Sequence, residues 1–105
     1  MIKYQRINDN EWEIYYNSIL AGIFRFYEFP DFRYRDKQLT RFLGYIKIES
    51  KFRKLGILRY TVKEFNIKSL MVDDIDDIPL DILKRIYNRL GFKLIEGSER
   101  FMIRD

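Results

Sequence analysis

Ile48-Glu49-Ser50-Lys51-Phe52-Arg53-Lys54-Leu55-Gly56-Ile57-Leu58 is the stretch on which the reading of the fold turns. Its first residue closes an apolar run, Phe42 to Ile48, that has strand character. A short basic turn follows. From Leu58 the apolar period changes, with Leu58, Val62 and Phe65 at i, i+4 and i+7 on one side of a helix. A helix that opens straight after a strand and a turn leaves backbone N–H groups unpaired at a terminus of partial positive charge. An anion can sit there. Gly56 permits close backbone approach, and Arg53 and Lys54 add charge. The pattern suits a pyrophosphate.

Downstream, Ser69 to Val72 is an apolar run long enough for a strand. Asp73-Asp74-Ile75-Asp76-Asp77 reads as a solvated loop, with Asp77 placed to cap a helix whose first turn holds Pro79. The loop lacks the Gly and terminal Glu of a calcium loop, and no metal site is expected. Leu83, Ile86, Tyr87 and Leu90 form the buried stripe of that helix, and Gly91 suits its C-terminal cap. Phe92 to Ile95 and Arg100 to Ile103 flank Glu96-Gly97-Ser98-Glu99 as a hairpin.

Upstream, Ile2 to Ile7, Trp12 to Tyr16 and Ile19 to Phe29 read as strands parted by Asn8-Asp9-Asn10 and Asn17-Ser18. Pro30 ends the third, having no N–H for a ladder, and opens a polar, aromatic loop to about Arg41. The order is β-β-β-β-α-β-α-β-β. Strands first and helices late predict one α+β domain over residues 1–105, with two helices on a mixed, mainly antiparallel sheet.

The composition excludes several chemistries. Of 105 residues 47% are hydrophobic, enough for one core and too few residues for two. With neither Cys nor His, the chain can form no disulfide, no Cys/His zinc site and no Ser–His or Cys–His nucleophile pair. Proton transfer near neutral pH falls to carboxylates, Tyr, Lys, water or the substrate. No apolar run approaches a membrane span and the opening lacks a secretory leader's apolar segment, so no membrane partner and a cytoplasmic location are expected. The net charge of +4 permits an anionic partner without naming one.

Two motifs resemble those of the GNAT superfamily of N-acetyltransferases. That family carries Val-x-Pro-x-Tyr-Arg-x-x-Gly-x-Gly/Ala between its fourth strand and the next helix. Ile48, Ser50, Phe52, Arg53 and Gly56 fall on that pattern, with Arg53 and Gly56 identical and Leu58 in place of the final small residue. Ile86-Tyr87-Asn88-Arg89-Leu90-Gly91-Phe92 is similar to the family's Phe/Leu-Tyr-x-x-Leu-Gly-Phe at the end of its last helix. The resemblance covers roughly residues 42–105, without the family's first two helices. Leu80 stands where many members have Asn.

The resemblance implies acetyl-CoA as co-substrate, held by strand backbone near Ile48 with its pyrophosphate over Arg53, Lys54, Leu55, Gly56, Ile57 and Leu58. It implies acetyl transfer to an amine of a protein or small molecule, with Tyr87 protonating the departing thiolate. Glu49 is the nearest candidate base and Glu28 the second. The competing expectation is a GNAT-shaped binding module without catalysis, for a protein or nucleic-acid partner. Nucleic acid would use Phe32, Arg33, Tyr34 and Arg35 for stacking and phosphate contacts. Oligomeric state is not legible.

Overall fold

Aromatic and β-branched segments separated by tight Asn-containing turns build an N-terminal meander: β1 (Ile2–Asn8), β2 (Glu11–Tyr16) and β3 (Ile19–Glu28). Asn17 and Ser18, both with positive φ, join β2 to β3, the backbone of a two-residue hairpin turn that matches the strands' twist. The computed structural model describes residues 1–30, 32–34, 37–38, 41–73 and 78–104. Inside the loop after Pro30 it adds a two-residue hairpin, β4 (Arg33–Tyr34) and β5 (Lys37–Gln38), where the sequence suggested only loop.

β6 (Arg41–Ile48) returns antiparallel to β3, from Gly22↔Ile48 to Glu28↔Arg41. Gly44 is an extra residue in this ladder, because Arg25 faces Tyr45 and Phe26 faces Leu43. A turn of 3-10 helix (Ser50–Phe52) and α1 (Ile57–Glu64) then cross to β7 (Ser69–Met71), which runs parallel to β6. α2 (Leu80–Arg89), β8 (Lys93–Leu94) and β9 (Phe101–Ile103) complete the chain. The seven-stranded sheet has the order β1-β2-β3-β6-β7-β9-β8, mostly antiparallel, and with two helices the fold is α+β.

Both helices lie on one face of the sheet. Ile14, Phe24, Phe26, Leu43 and Ile46 form a single core with Ile57 and Val62 of α1 and Leu83 and Tyr87 of α2. Phe42 sits on the other face, covered by Phe29, Phe32 and Phe101 with ring centroids 5.1–5.5 Å away. Phe32 is therefore packed into a cluster of rings and is not the free stacking group that a nucleic-acid loop needs. Arg33 is exposed, and Arg35 lies outside the described residues.

Helix α2 corrects one detail of the sequence reading. Pro79 is the cap residue itself and makes no side-chain capping bond, so the first turn starts at Leu80. The ring of Pro79 disfavours helical backbone at Ile78, which moves the start past the proline. Asp77, expected as the cap, lies outside the described residues. At the other end Gly91 has φ 97° just after the cap residue Leu90, as a left-handed terminator should.

Much of the basic charge is structural. Arg41, Arg53, Arg100 and Arg104 donate to the backbone carbonyls of Asp9, Ile48, Val72 and Ile67 at 2.7–3.2 Å. Each ties an element end that would otherwise leave a carbonyl to water. Among the described residues no helix is long and apolar enough to cross a membrane.

Candidate functional site

The site grows out of an asymmetry in β6. Its edge toward β3 is laddered from Arg41 to Ile48. Its edge toward β7 is paired at Leu43↔Leu70, and among the described residues no further register pair joins the two parallel strands. The extra residue at Gly44 bends β6 next to that pair. Alanine there would drive its Cβ to within 2.0 Å of the Tyr27 ring, so only glycine lets that ring lie against the strand.

Beside the end of β6 there is a cavity of about 390 Å3, walled by Ile46 and Ile48 of β6, the start of α1 and the inner face of α2. Six of the seven residues named from the first motif line it: Ile48, Arg53, Lys54, Gly56, Ile57 and Leu58. Leu55, named with them, is 48% exposed and is not part of the wall. Tyr87, from the second motif, lines the same cavity from α2. Ile86 and Leu90, expected in the buried stripe of the helix, are half-buried and form part of the cavity wall.

The loop between β6 and α1 is held in an unusual shape. Arg53 Nε donates to the Ile48 carbonyl at 2.8 Å, closing the loop onto the strand end. Lys54 takes φ 68°, uncommon for a residue with a side chain, and Gly56 takes φ 77°. A Cβ at Gly56 would meet nothing within 4 Å, so the glycine answers to its backbone angle and leaves open space above it. Gly56 caps α1 without any side-chain bond, and no acidic residue stands in the first turn. The first helical bond runs from Tyr60 N to Gly56 O at 3.0 Å, which leaves the N–H groups ahead of it without helix partners. The branched side chain of Leu58 packs on the core while bordering the cavity.

Tyr87 is only 5% exposed, with its ring edge-on to Phe92 at 6.2 Å. Its hydroxyl makes no hydrogen bond among the described residues. Burial pushes the phenol well above its ordinary pKa, so it keeps its proton at physiological pH. It is a proton donor without a protein acceptor among the described residues, on the wall of an apolar hollow.

The candidate carboxylates Glu49 and Glu28 are elsewhere. Glu49 is exposed and borders a separate hollow of about 480 Å3 with Glu13, Leu20 and Ile23. Glu28 pairs with Arg41 at the far end of β6, roughly 23 Å along the strand from Ile48 at about 3.3 Å per residue. That distance removes Glu28 as a partner for Tyr87. Arg59 and Arg89 were not singled out from the sequence, yet both line the cavity. Their signal was faint: Arg59 is two residues into α1, and Arg89 occupies a variable position inside the second motif.

No protein-family model matches the chain, and no curated protein matches it. The functional reading stands on residues and geometry.

Proposed function

We propose that this cavity binds acetyl-CoA and that the chain transfers the acetyl group to an amine, as the GNAT-type enzymes that its motifs resemble do. One observation carries the reading. Residues of the loop 53–58, all but Leu55, and Tyr87, distant in sequence, line one cavity beside the part of β6 that has no register pair with β7 among the described residues.

The residues present fit such a ligand. The volume of about 390 Å3 is near the small end of ligand sites, enough for a thioester arm with the nucleotide left at the basic rim. The unpaired edge of β6 beyond Leu43 offers backbone N–H and C=O groups to the amides of that arm. The uncapped start of α1 offers N–H groups to phosphate. When bound, acetyl-CoA supplies the activated acyl carbon. The Tyr87 hydroxyl then has the acceptor it lacks, the sulfur that departs as the carbon–nitrogen bond forms and the carbon–sulfur bond breaks. The phenol carries its proton at physiological pH, but burial also makes it a weaker acid than a free tyrosine, so in this role it hands the proton over only as negative charge develops on the sulfur. Glu49 borders the neighbouring hollow, so a role as base would run through water.

Titration calorimetry with acetyl-CoA tests the reading. Wild-type protein should release or absorb heat, and Gly56→Val should bind no acetyl-CoA while keeping its circular dichroism spectrum. If binding is seen, Tyr87→Phe should lower turnover about 100-fold or more with little change in the Michaelis constant for acetyl-CoA. Binding without turnover on any amine would favour the second reading, a GNAT-shaped binding module. One feature favours that second reading: β1 passes to β2 through Asp9-Asn10 alone, with no room for the helices that help wall the family's acceptor site. No heat from the wild type would end the enzyme reading and leave the binding module, whose partner would then be a protein or nucleic acid.

A further inference from the structure

Each helix carries a pair of cations one turn apart on the side turned to solvent, Arg59 and Lys63 on α1, Arg85 and Arg89 on α2. The buried residues Thr61 and Val62, and Leu83 and Tyr87, lie on the opposite sides of their helices. Both helices cover the same face of the sheet, so the two pairs look out on one side of the molecule. Like charges four residues apart repel across a helical turn and weaken the helix that carries them.

Nothing within the chain relieves that repulsion. All four cations are exposed, and none forms an ion pair among the described residues. Asp81, one turn before Arg85, makes no ion pair with it, and Glu64 is the sole acidic residue of α1. The N-terminal meander is different, because Arg6 there pairs with Asp9 and Arg25 with Glu11. Cations spread over two helices do not converge on one small anion. They suit a polymer that carries a charge at every unit.

The side chain between the cations of α1 says which polymer. Tyr60 is 45% exposed, with its ring stacked on Tyr4 at 6.5 Å and an interplanar angle of 11°. The stack has an open end, on which a further flat ring can lie. A bilayer surface would instead call for several exposed aliphatic side chains, and within the two helices Ile82 alone is of that kind.

We infer that the outer faces of α1 and α2 bind single-stranded nucleic acid, with Arg59, Lys63, Arg85 and Arg89 along its phosphates and Tyr60 under a base. A single strand is chosen because its bases are free to stack. This moves nucleic-acid recognition away from the 32–35 loop, where Phe32 is packed against Phe42 and Phe101. It also stands apart from the thioester reading, since Tyr60, Lys63 and Arg85 do not line the cavity.

Fluorescence anisotropy with a labelled single-stranded oligonucleotide of mixed sequence, over a series of salt concentrations, tests the surface. Four phosphate contacts predict that log affinity falls against log salt with a slope of about −2.8, since each contact on a single strand contributes about 0.7. Lys63→Ala and Arg85→Ala should each make that slope shallower by about 0.7. Tyr60→Leu should weaken binding at least about fivefold and leave the slope alone, because it removes stacking and no charge. Lys3→Ala, which takes the same charge from β1, should match the wild type. The inference is overturned if no oligonucleotide binds at low salt, or if Lys3→Ala flattens the slope as much as Arg85→Ala, which would mark attraction by net charge alone. Tighter binding to the duplex than to the single strand overturns it too, as does binding to phosphatidylserine vesicles without binding to the oligonucleotide. No arm of the test uses a thioester, so its failure leaves the reading of the cavity as it was.

Discussion

The two edges of β6 have opposite fates. Toward β3 the strand is paired from end to end, and the residues on its covered face are in the core. Toward β7 it is paired at one position, and side chains of the same strand, Ile46 and Ile48, wall a cavity. One strand thus does two jobs, and a single extra residue at Gly44 stands at the point where the first gives way to the second. The paired edge should tolerate little change. The edge toward β7 should tolerate change in stability but not in binding.

The largest effect should come from the paired side. Phe24 is fully buried between Tyr4, Trp12, Phe26 and Phe65, with ring centroids 5.0–6.3 Å away. Phe24→Ala should lower the unfolding free energy by about 3–5 kcal/mol in a urea titration. A loss under about 1 kcal/mol would mean this edge is no tighter than the other. Gly22 comes next. A Cβ there would lie 2.3 Å from the Lys47 carbonyl oxygen, a backbone atom that cannot swing aside. Gly22→Ala should destabilise by about 1–3 kcal/mol, the usual range for overpacking.

Tyr87 gives a smaller, pH-dependent effect. Its folded pKa is raised by burial, whereas the unfolded phenol ionises near pH 10. Above pH 10 the unfolded chain releases that proton first, so stability present below pH 10 is lost as pH rises. The loss should reach about 1 kcal/mol at pH 11 and be missing from the Tyr87→Phe variant, other tyrosines contributing equally to both. Parallel pH curves for the two proteins would show that Tyr87 is not buried in solution.

The smallest stability effect belongs to the cavity wall. Ile86 is half-buried on α2, and Ile86→Ala should change stability by less than about 1 kcal/mol. Ile86→Trp should leave melting within a few degrees of wild type, yet its indole should occupy the cavity and abolish acetyl-CoA binding by calorimetry. Binding that survives the tryptophan would move the ligand out of this cavity.

Most elements were legible because their signals are local. Strand residues at β1, β2, β3 and β6 carried β-branched and aromatic runs, and the change to a helical period at Leu58 was found within one residue of the true start at Ile57. The β4–β5 hairpin was not legible, since two-residue strands leave no periodic pattern. The site was legible in part. Arg53, Gly56 and Tyr87 stood out through motifs, but the hydrogen bond from Arg53 Nε to the Ile48 carbonyl, which closes the loop, had no signal in the sequence. Nothing in the sequence says whether an arginine faces a ligand or a carbonyl of its own chain.

By itself the sequence determined the order of the two helices and of the strands in the seven-stranded sheet, the turns at Asn17-Ser18 and Gly91, and the absence of any Cys or His chemistry. These follow from backbone preferences and side-chain inventory, which act over a few residues. Only the tertiary structure decided which residues share a cavity. Glu49 sits next to Ile48 in the chain, yet it borders a different hollow, because it lies past the strand end on the loop's exposed side. Tyr87, Arg59 and Arg89 are brought to one cavity by the packing of α1 and α2 beside the end of β6, a geometry that depends on contacts distant in sequence and that no local pattern encodes.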